Sequence, residues 1–167
     1  MRKAKATIKR HVNKSDLLPL APARVRALSV QYHMALAALR GGYGSNANIG
    51  VLTGALYMAY VLECNHNETR PDPAIFRAAD SALWNCHERA TEHGAPWKLE
   101  RGESDALCAL LALHDMQLAS YRAVYYIAGI QELHIALARD CSPLADGHVL
   151  QKDSRGFQWN EPAEQAA

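Results

Sequence analysis

The pair His114-Asp115 is the feature of the sequence that most resembles a catalytic element. In all-helical phosphohydrolases of the HD type, a histidine, a His-Asp pair and a later aspartate hold metal ions that activate water. His87, His114-Asp115 and Asp140 could supply such a set. However, His114 falls among leucines at helical spacing, and consecutive residues of a helix point about 100° apart. We therefore predict that His114 is a core histidine, hydrogen-bonded across a helical bundle, and that Asp115 faces solvent.

Two cysteine–histidine pairs are candidate metal ligands. Cys64 lies two residues before His66, and Cys86 directly precedes His87. Structural zinc sites take four ligands, usually from two closely spaced pairs. Adjacent residues on a helix diverge, and the first pair falls at a predicted helix end. The sequence therefore predicts no metal and no cofactor, and isolated cysteines on helices are expected to act as small apolar residues.

Other catalytic and phosphate-binding patterns are weak. The sequence contains neither a G-x-S-x-G nor an S-x-x-K motif for a nucleophilic serine. The glycine-rich segment 41–45 precedes a predicted helix, whose N-terminus could bind an anion. It follows a helix rather than a strand and lacks the P-loop lysine, so a turn is favoured. No catalytic residue is predicted, and the sequence favours a protein that is not an enzyme.

The first residues of the chain form a basic arm. Among its basic side chains, the candidate contacts to a partner are Lys3, Lys5, Lys9 and Arg10. The rest of the chain is mildly acidic, because the formal net charge of the whole is only +1. The arm could bind nucleic acid directly or an acidic protein, although the body has no basic stripe and no recognisable helix-turn-helix. It lacks the apolar stretch of a secretory signal, so a cytosolic location is expected.

A second candidate binding feature combines tyrosine and arginine. Tyr121, Arg122 and Tyr125 lie near the start of the last predicted helix. Tyr121 and Tyr125 are four residues apart and would share one face of a helix. Tyrosine and arginine are enriched in protein interfaces. The sequence leaves open whether this cluster binds a partner or packs against the arm or the loop at Trp97.

The elements that carry these residues are predicted to be helices. Alanine and leucine dominate, and β-branched residues are scarce. Apolar residues recur at helical spacing in five segments, at about 22–40, 47–63, 73–93, 103–119 and 120–139. Glycines at 41–44 and 94 end the first and third helices, Ser45 or Asn46 caps the second, and Ser120 caps the fifth.

The resulting prediction is an all-α fold. Residues 19–142 form a single-domain antiparallel bundle of about five helices, between a basic flexible arm, 1–18, and a flexible tail, 143–167. No apolar run reaches the roughly 18 residues of a membrane span, so no contact with a membrane is expected. Self-association of such an Ala- and Leu-rich bundle, as a twofold homodimer, is compatible with the sequence.

A resemblance extends over about residues 1–138 and is carried mostly by packing residues. Its clearest segments are Tyr32-His33-Met34-Ala35-Leu36, Leu39-Arg40-Gly41-Gly42-Tyr43-Gly44-Ser45, Ala112-Leu113-His114-Asp115 and Gln117-Leu118. The chain resembles a group of small helical proteins of temperate phages and prophages of proteobacteria, which also open with a basic, proline-containing arm. The group carries no established enzyme activity, so it transfers no functional residues. The resemblance implies a phage accessory protein made in the cytosol of the bacterial host.

The leading hypothesis is a non-enzymatic, phage-encoded protein that binds and inhibits a host protein or nucleoprotein complex. Small phage accessory proteins often disable host machines in this way, and an anti-CRISPR, or anti-defence, factor is one such form. Two alternatives stay open. One is a metal-dependent HD-like phosphohydrolase that uses His114 and Asp115, and the other is a DNA-associated phage regulator that uses the basic arm.

Overall fold

The computed structural model describes residues 14–66, 73–139 and 142–144, and these form an all-α bundle. A short 3-10 helix, Lys14–Leu17, is followed by the five helices α1 (Pro22–Gly41), α2 (Asn46–His66), α3 (Ala74–Glu92), α4 (Arg101–Ser120) and α5 (Ala123–Ala138). The described part of the chain contains no strand. The predicted fold class and the number of long helices are therefore confirmed.

Glycines end two helices, as their positions in the sequence predict. Gly42 follows α1 with a left-handed φ of 78°, and the Tyr43 amide donates to the Ala38 carbonyl at 3.0 Å. Gly94 follows α3 with a φ of 63°, and the next amide, of Ala95, donates to the Arg89 carbonyl at 3.1 Å. Glycine adopts this backbone conformation without the steric penalty of a Cβ atom.

The centre of the bundle is α2. Every residue from Leu52 to Leu62 is buried, and α2 packs against α1, α3, α4 and α5. By length and composition alone α2 could cross a membrane, but 67% of its apolar window is buried within the bundle. A helix that is apolar all round is expected at the core of a bundle as well as in a membrane.

The last two helices have different neighbours. Consecutive in sequence, α4 and α5 turn apart at Tyr121 and Arg122: α4 packs against α1, α2 and α3, whereas α5 packs mainly against α2. The α2–α5 contact is close at Gly129, where an added Cβ atom would lie 2.9 Å from the Met58 sulfur. The last two helices thus both pack on α2, but α4 also packs against α1 and α3, whereas α5 also contacts the short 3-10 helix.

The connector between α3 and α4 lies against the end of α1. The Leu99 amide donates to the Leu39 carbonyl at 3.1 Å, and Leu99 is buried. A Cβ atom on Gly44 would come within 2.8 Å of the Trp97 carbonyl oxygen. The tight α1–α2 turn therefore requires glycine at 44, and the Trp97 segment packs onto the bundle at this turn.

A bidentate ion pair closes the α3–α4 corner. The two terminal nitrogens of Arg89 donate to the two carboxylate oxygens of Glu103, each at 2.6 Å. Glu103 also accepts the Glu100 amide at 2.8 Å, which forms a capping box at the start of α4. Burial of the Glu103 carboxylate opposes ionisation, but the bonds from Arg89 and Glu100 and the charge of Arg89 outweigh it. The pKa of Glu103 is consequently lowered.

Residues 14–20, here called the strap, fasten the N-terminal side of the chain to the α4–α5 turn. The Ala123 amide donates to the Leu18 carbonyl at 2.7 Å, and Pro19 and Arg122 form an isolated antiparallel bridge. Part of the predicted flexible arm is therefore a 3-10 helix in contact with α5. The candidate contacts Lys3, Lys5, Lys9 and Arg10 lie outside the described residues.

The boundary predicted at residue 143 falls inside the packed body. Leu144 is 3% exposed and belongs to the core, and the Ser142 hydroxyl is hydrogen-bonded to Tyr57 of α2. The second residue of the predicted tail, Leu144, is therefore still packed in the bundle core. The rest of the predicted tail, 145–167, lies outside the described residues.

Candidate partner-binding surface

His114 lies in the core and not in a site open to water. It is 0% exposed and packs against the Tyr32 ring, with a centroid separation of 5.4 Å. Its Nδ1 atom lies 3.2 Å from Oε1 of Gln117, and its Nε2 atom has no hydrogen-bond partner among the described residues. Burial lowers the pKa of His114 to about 4, although the Gln117 bond and the Asp115 charge favour the protonated form. The imidazole is therefore neutral at pH 7.

The sequence predicts a core histidine correctly but assigns it the wrong kind of partner. The hydrogen bond of His114 runs one turn along α4, to Gln117, and not across the bundle. The crossing is made by Gln117 itself, whose amide nitrogen donates to the Ala59 carbonyl at 3.1 Å and to Glu63 at 2.8 Å. Because that nitrogen serves two acceptors, Oε1 faces His114, and the imidazole proton resides on Nδ1.

Asp115 points away from His114, as predicted. Its Oδ2 atom lies 2.8 Å from Nε2 of His33 in α1, and both side chains remain partly exposed. His87 stands in yet another environment, between the rings of Trp84 and Trp97. The histidines and the aspartate that an HD-like centre would need are thus not brought together, and Asp140 lies outside the described residues.

The described residues contain no group of three or more histidine, cysteine or acidic side chains able to hold a metal ion. Of the two cysteine–histidine pairs, Cys64 is exposed at the end of α2, while Cys86 is fully buried in α3. Burial raises the pKa of the Cys86 thiol, which suits its role as a small core residue.

A line of hydrogen bonds leads from the core to the surface. It begins at His114, passes through Gln117 to Glu63, and ends at the Tyr121 hydroxyl, which donates to Glu63 at 3.1 Å. Burial, followed by the negative charge of Glu63 and the hydrogen bond to it, raises the pKa of Tyr121 to about 12. The hydroxyl therefore keeps its proton at neutral pH and holds the Tyr121 side chain in one orientation.

Tyr121 and Tyr125 both pack on His66 at the end of α2. The His66 and Tyr121 rings are stacked, with centroids 3.8 Å apart, and the Tyr125 ring meets His66 edge-on at 5.7 Å. Both tyrosines are half-buried, while His66 and the neighbouring Arg122 are exposed. These four residues are here called the tyrosine patch. The two tyrosine rings are held against His66, and the guanidinium of Arg122 is exposed to solvent.

The structure thus brings together the three predicted residues of this cluster, but through a different contact. Tyr121 precedes α5, so the two tyrosines do not share one continuous helix face. Both tyrosines pack on α2. The strap contacts Arg122 through a backbone bridge, and the Trp97 connector lies elsewhere, at the end of α1. Sequence reasoning did not connect Gln117, Glu63 or His66 with this cluster. A buried polar residue in an apolar stripe was the signal for Gln117 alone.

Comparison of the chain with protein-family models, with curated protein sequences and with solved structures finds no match.

Proposed function

We propose that this chain is a non-enzymatic binding protein that engages a host protein or nucleoprotein complex through the tyrosine patch. The observation that carries the proposal is the double anchoring of Tyr121, whose ring stacks on His66 and whose hydroxyl donates to Glu63. A side chain already held in one orientation loses little conformational entropy on binding. Exposed Arg122 beside two tyrosines adds the residue types that dominate interface energetics.

The position of His114 favours binding over hydrolysis. A residue with no exposed surface and a pKa lowered to about 4 cannot meet a substrate or hold an ion without opening the core. The exposed pair His33 and Asp115 has no third metal-binding side chain within the described part of the chain. These observations support a protein that acts by occupying a surface of its partner.

The resemblance to phage accessory proteins supports a partner in the cytosol of a bacterial host. Inhibition of a host defence complex, as by an anti-CRISPR factor, is the specific form of the proposal. The acidic balance of the chain beyond the arm is suited to basic nucleic-acid channels of such complexes.

The proposal is tested by partner capture followed by measured affinity. The tagged full chain is incubated with lysate of a defence-competent proteobacterium, and the captured protein is identified, purified and titrated by calorimetry. Arg122→Glu and Tyr125→Ala should each raise the dissociation constant by about 30-fold, since a hot-spot residue contributes about 2 kcal/mol.

The matched control is Tyr43→Ala, which removes a tyrosine that is 89% exposed in the α1–α2 turn. It should bind like the wild type. Capture of no specific partner, or equal weakening by Tyr43→Ala and Tyr125→Ala, would exclude the tyrosine patch as the binding surface.

A further inference from the structure

A groove on the outside of the bundle, between α1 and α4, is used neither by the core nor by the tyrosine patch. Its volume is about 450 Å³, and the side chains along it are mostly apolar or small. The residues that matter here are Val25, Arg26, Ser29 and Val30 of α1 and Asp115 and Ala119 of α4. The groove is open to solvent between the first half of α1 and the last turns of α4, so it is accessible to another surface.

Exposed apolar side chains flank this groove. Val30 and Met34, one turn apart on α1, are 56% and 66% exposed, and Met116, one turn before Ala119 on α4, is 45% exposed. They are three of the seven large apolar side chains that are exposed in the described part of the chain. Concentration of such residues on one face marks an interaction site, and methionine adapts readily to a facing surface.

The same face carries charges of both signs. Arg26 forms no ion pair with any described residue, and Asp115 uses only Oδ2 to contact His33. The groove therefore presents the guanidinium of Arg26, which has no ion-pair partner among the described residues, and the carboxylate of Asp115, whose Oδ1 atom makes no hydrogen bond there. A foreign partner would have to supply both complementary charges, whereas a second copy of this chain supplies them automatically.

We infer that two copies of this chain associate through the α1–α4 face about a twofold axis. In such an interface each surface meets itself, so the face must be self-complementary. Val30, Met34 and Met116 would form its apolar centre, and Arg26 of each copy would reach the partner subunit's Asp115. The tyrosine patch, on the α4–α5 turn, stays open for the binding proposed above.

Sedimentation velocity of the purified full chain over a range of concentrations tests the inference. The monomer mass is 18.4 kDa, and the wild type should sediment as a species of twice that mass. Met34→Glu and Val30→Glu should each raise the dimer dissociation constant at least about 100-fold, because the twofold axis places the introduced charge in the interface twice.

Ile135→Glu is the matched control, because Ile135 is 52% exposed on α5, away from the groove. It should remain dimeric, and circular dichroism should show that all three variants keep their helices. Tyr125→Ala should also remain dimeric, which separates this inference from the function proposed for the tyrosine patch.

Charge reversal tests the pairing itself. Arg26→Glu should weaken the dimer about tenfold, and the added change Asp115→Arg should restore it, since the pair re-forms with reversed signs. His33→Ala, which removes only the contact within one copy, should leave the dimer intact. A monomeric wild type, a Met34→Glu variant that still dimerises, or equal loss in Ile135→Glu would overturn the inference. A monomer whose α1–α4 face is instead protected by the captured host protein would assign the groove to that partner.

Discussion

At the scale of single residues, His114 shows how burial turns a reactive side chain into a structural one. The neutral imidazole donates to Gln117, and its other nitrogen is buried without a hydrogen-bond partner among the described residues. Protonation would place a charge in this environment without a second acceptor. The core therefore tolerates His114 only in its neutral form, and the consequence is a dependence of stability on pH.

The free energy of unfolding should fall as the pH falls from about 6.5 toward 4. The pKa of His114 is about 6.5 in the unfolded chain and about 4 in the fold, so the unfolded state binds the extra proton within this window. The part of the free energy of unfolding that depends on neutral His114 is fully present above pH 6.5, and it amounts to about 3 kcal/mol at most. Chemical denaturation at a series of pH values measures it.

Substitution by leucine distinguishes the contribution of His114 to the pH dependence of stability from that of the other histidines. His114→Leu should be less stable than the wild type at pH 7, because Gln117 loses its donor, but should show a flatter slope between pH 6.5 and 4. His134→Leu, at an exposed position in α5, should retain the wild-type slope. An unchanged slope in His114→Leu would show that this residue does not titrate as the fold requires.

The burial of His114 could be predicted from sequence, whereas its surroundings could not. Leucines at helical spacing around it place it on the apolar face of α4, which is a local signal. Gln117 pairs with Glu63, 54 positions away, and no local pattern reports such a pairing. The anchoring of the tyrosine patch depends on the same distant residue. Tyr121, Arg122 and Tyr125 could therefore be named from sequence, but the stacking of His66 and the hydrogen bond to Glu63 could not.

At the scale of helices, boundaries follow local signals except where a distant segment intervenes. Gly42 and Gly94 end their helices where expected, because a left-handed backbone is a property of one residue. The fifth helix begins after Arg122 and not after Ser120, and no side chain caps it. Its first amide, of Ala123, is instead satisfied by Leu18 of the strap. A backbone acceptor from another part of the chain has replaced the predicted serine cap.

The start of α4 should depend strongly on Glu103. Glu103→Ala removes both the bidentate pair with Arg89 and the capping bond to the Glu100 amide. We expect a loss of about 2 kcal/mol in the free energy of unfolding, measured by denaturant titration at neutral pH. Asp105→Ala, which removes an exposed carboxylate from the same turn, should lose less than about 1 kcal/mol. Similar losses in the two variants would show that only the helix dipole matters here.

At the scale of the whole molecule, stability should be greatest along α2. This helix contacts all four others, and its residues 52–62 are buried without interruption. Their amides should exchange hydrogen only when the entire chain unfolds, whereas α5, which packs mainly on α2, should open at lower free energy. Native-state hydrogen exchange with mass spectrometry measures both. Slower exchange in α5 than in the middle of α2 would contradict this hierarchy.

The bond between Leu18 and Ala123 has a consequence for synthesis. A ribosome adds about 5–20 residues per second, so roughly a hundred residues must be added, over about 5–20 s, before the donor exists. During that interval the Leu18 carbonyl of the strap lacks the Ala123 amide as its donor. Closure of the fold at this point therefore has to wait until the start of α5 has left the exit tunnel.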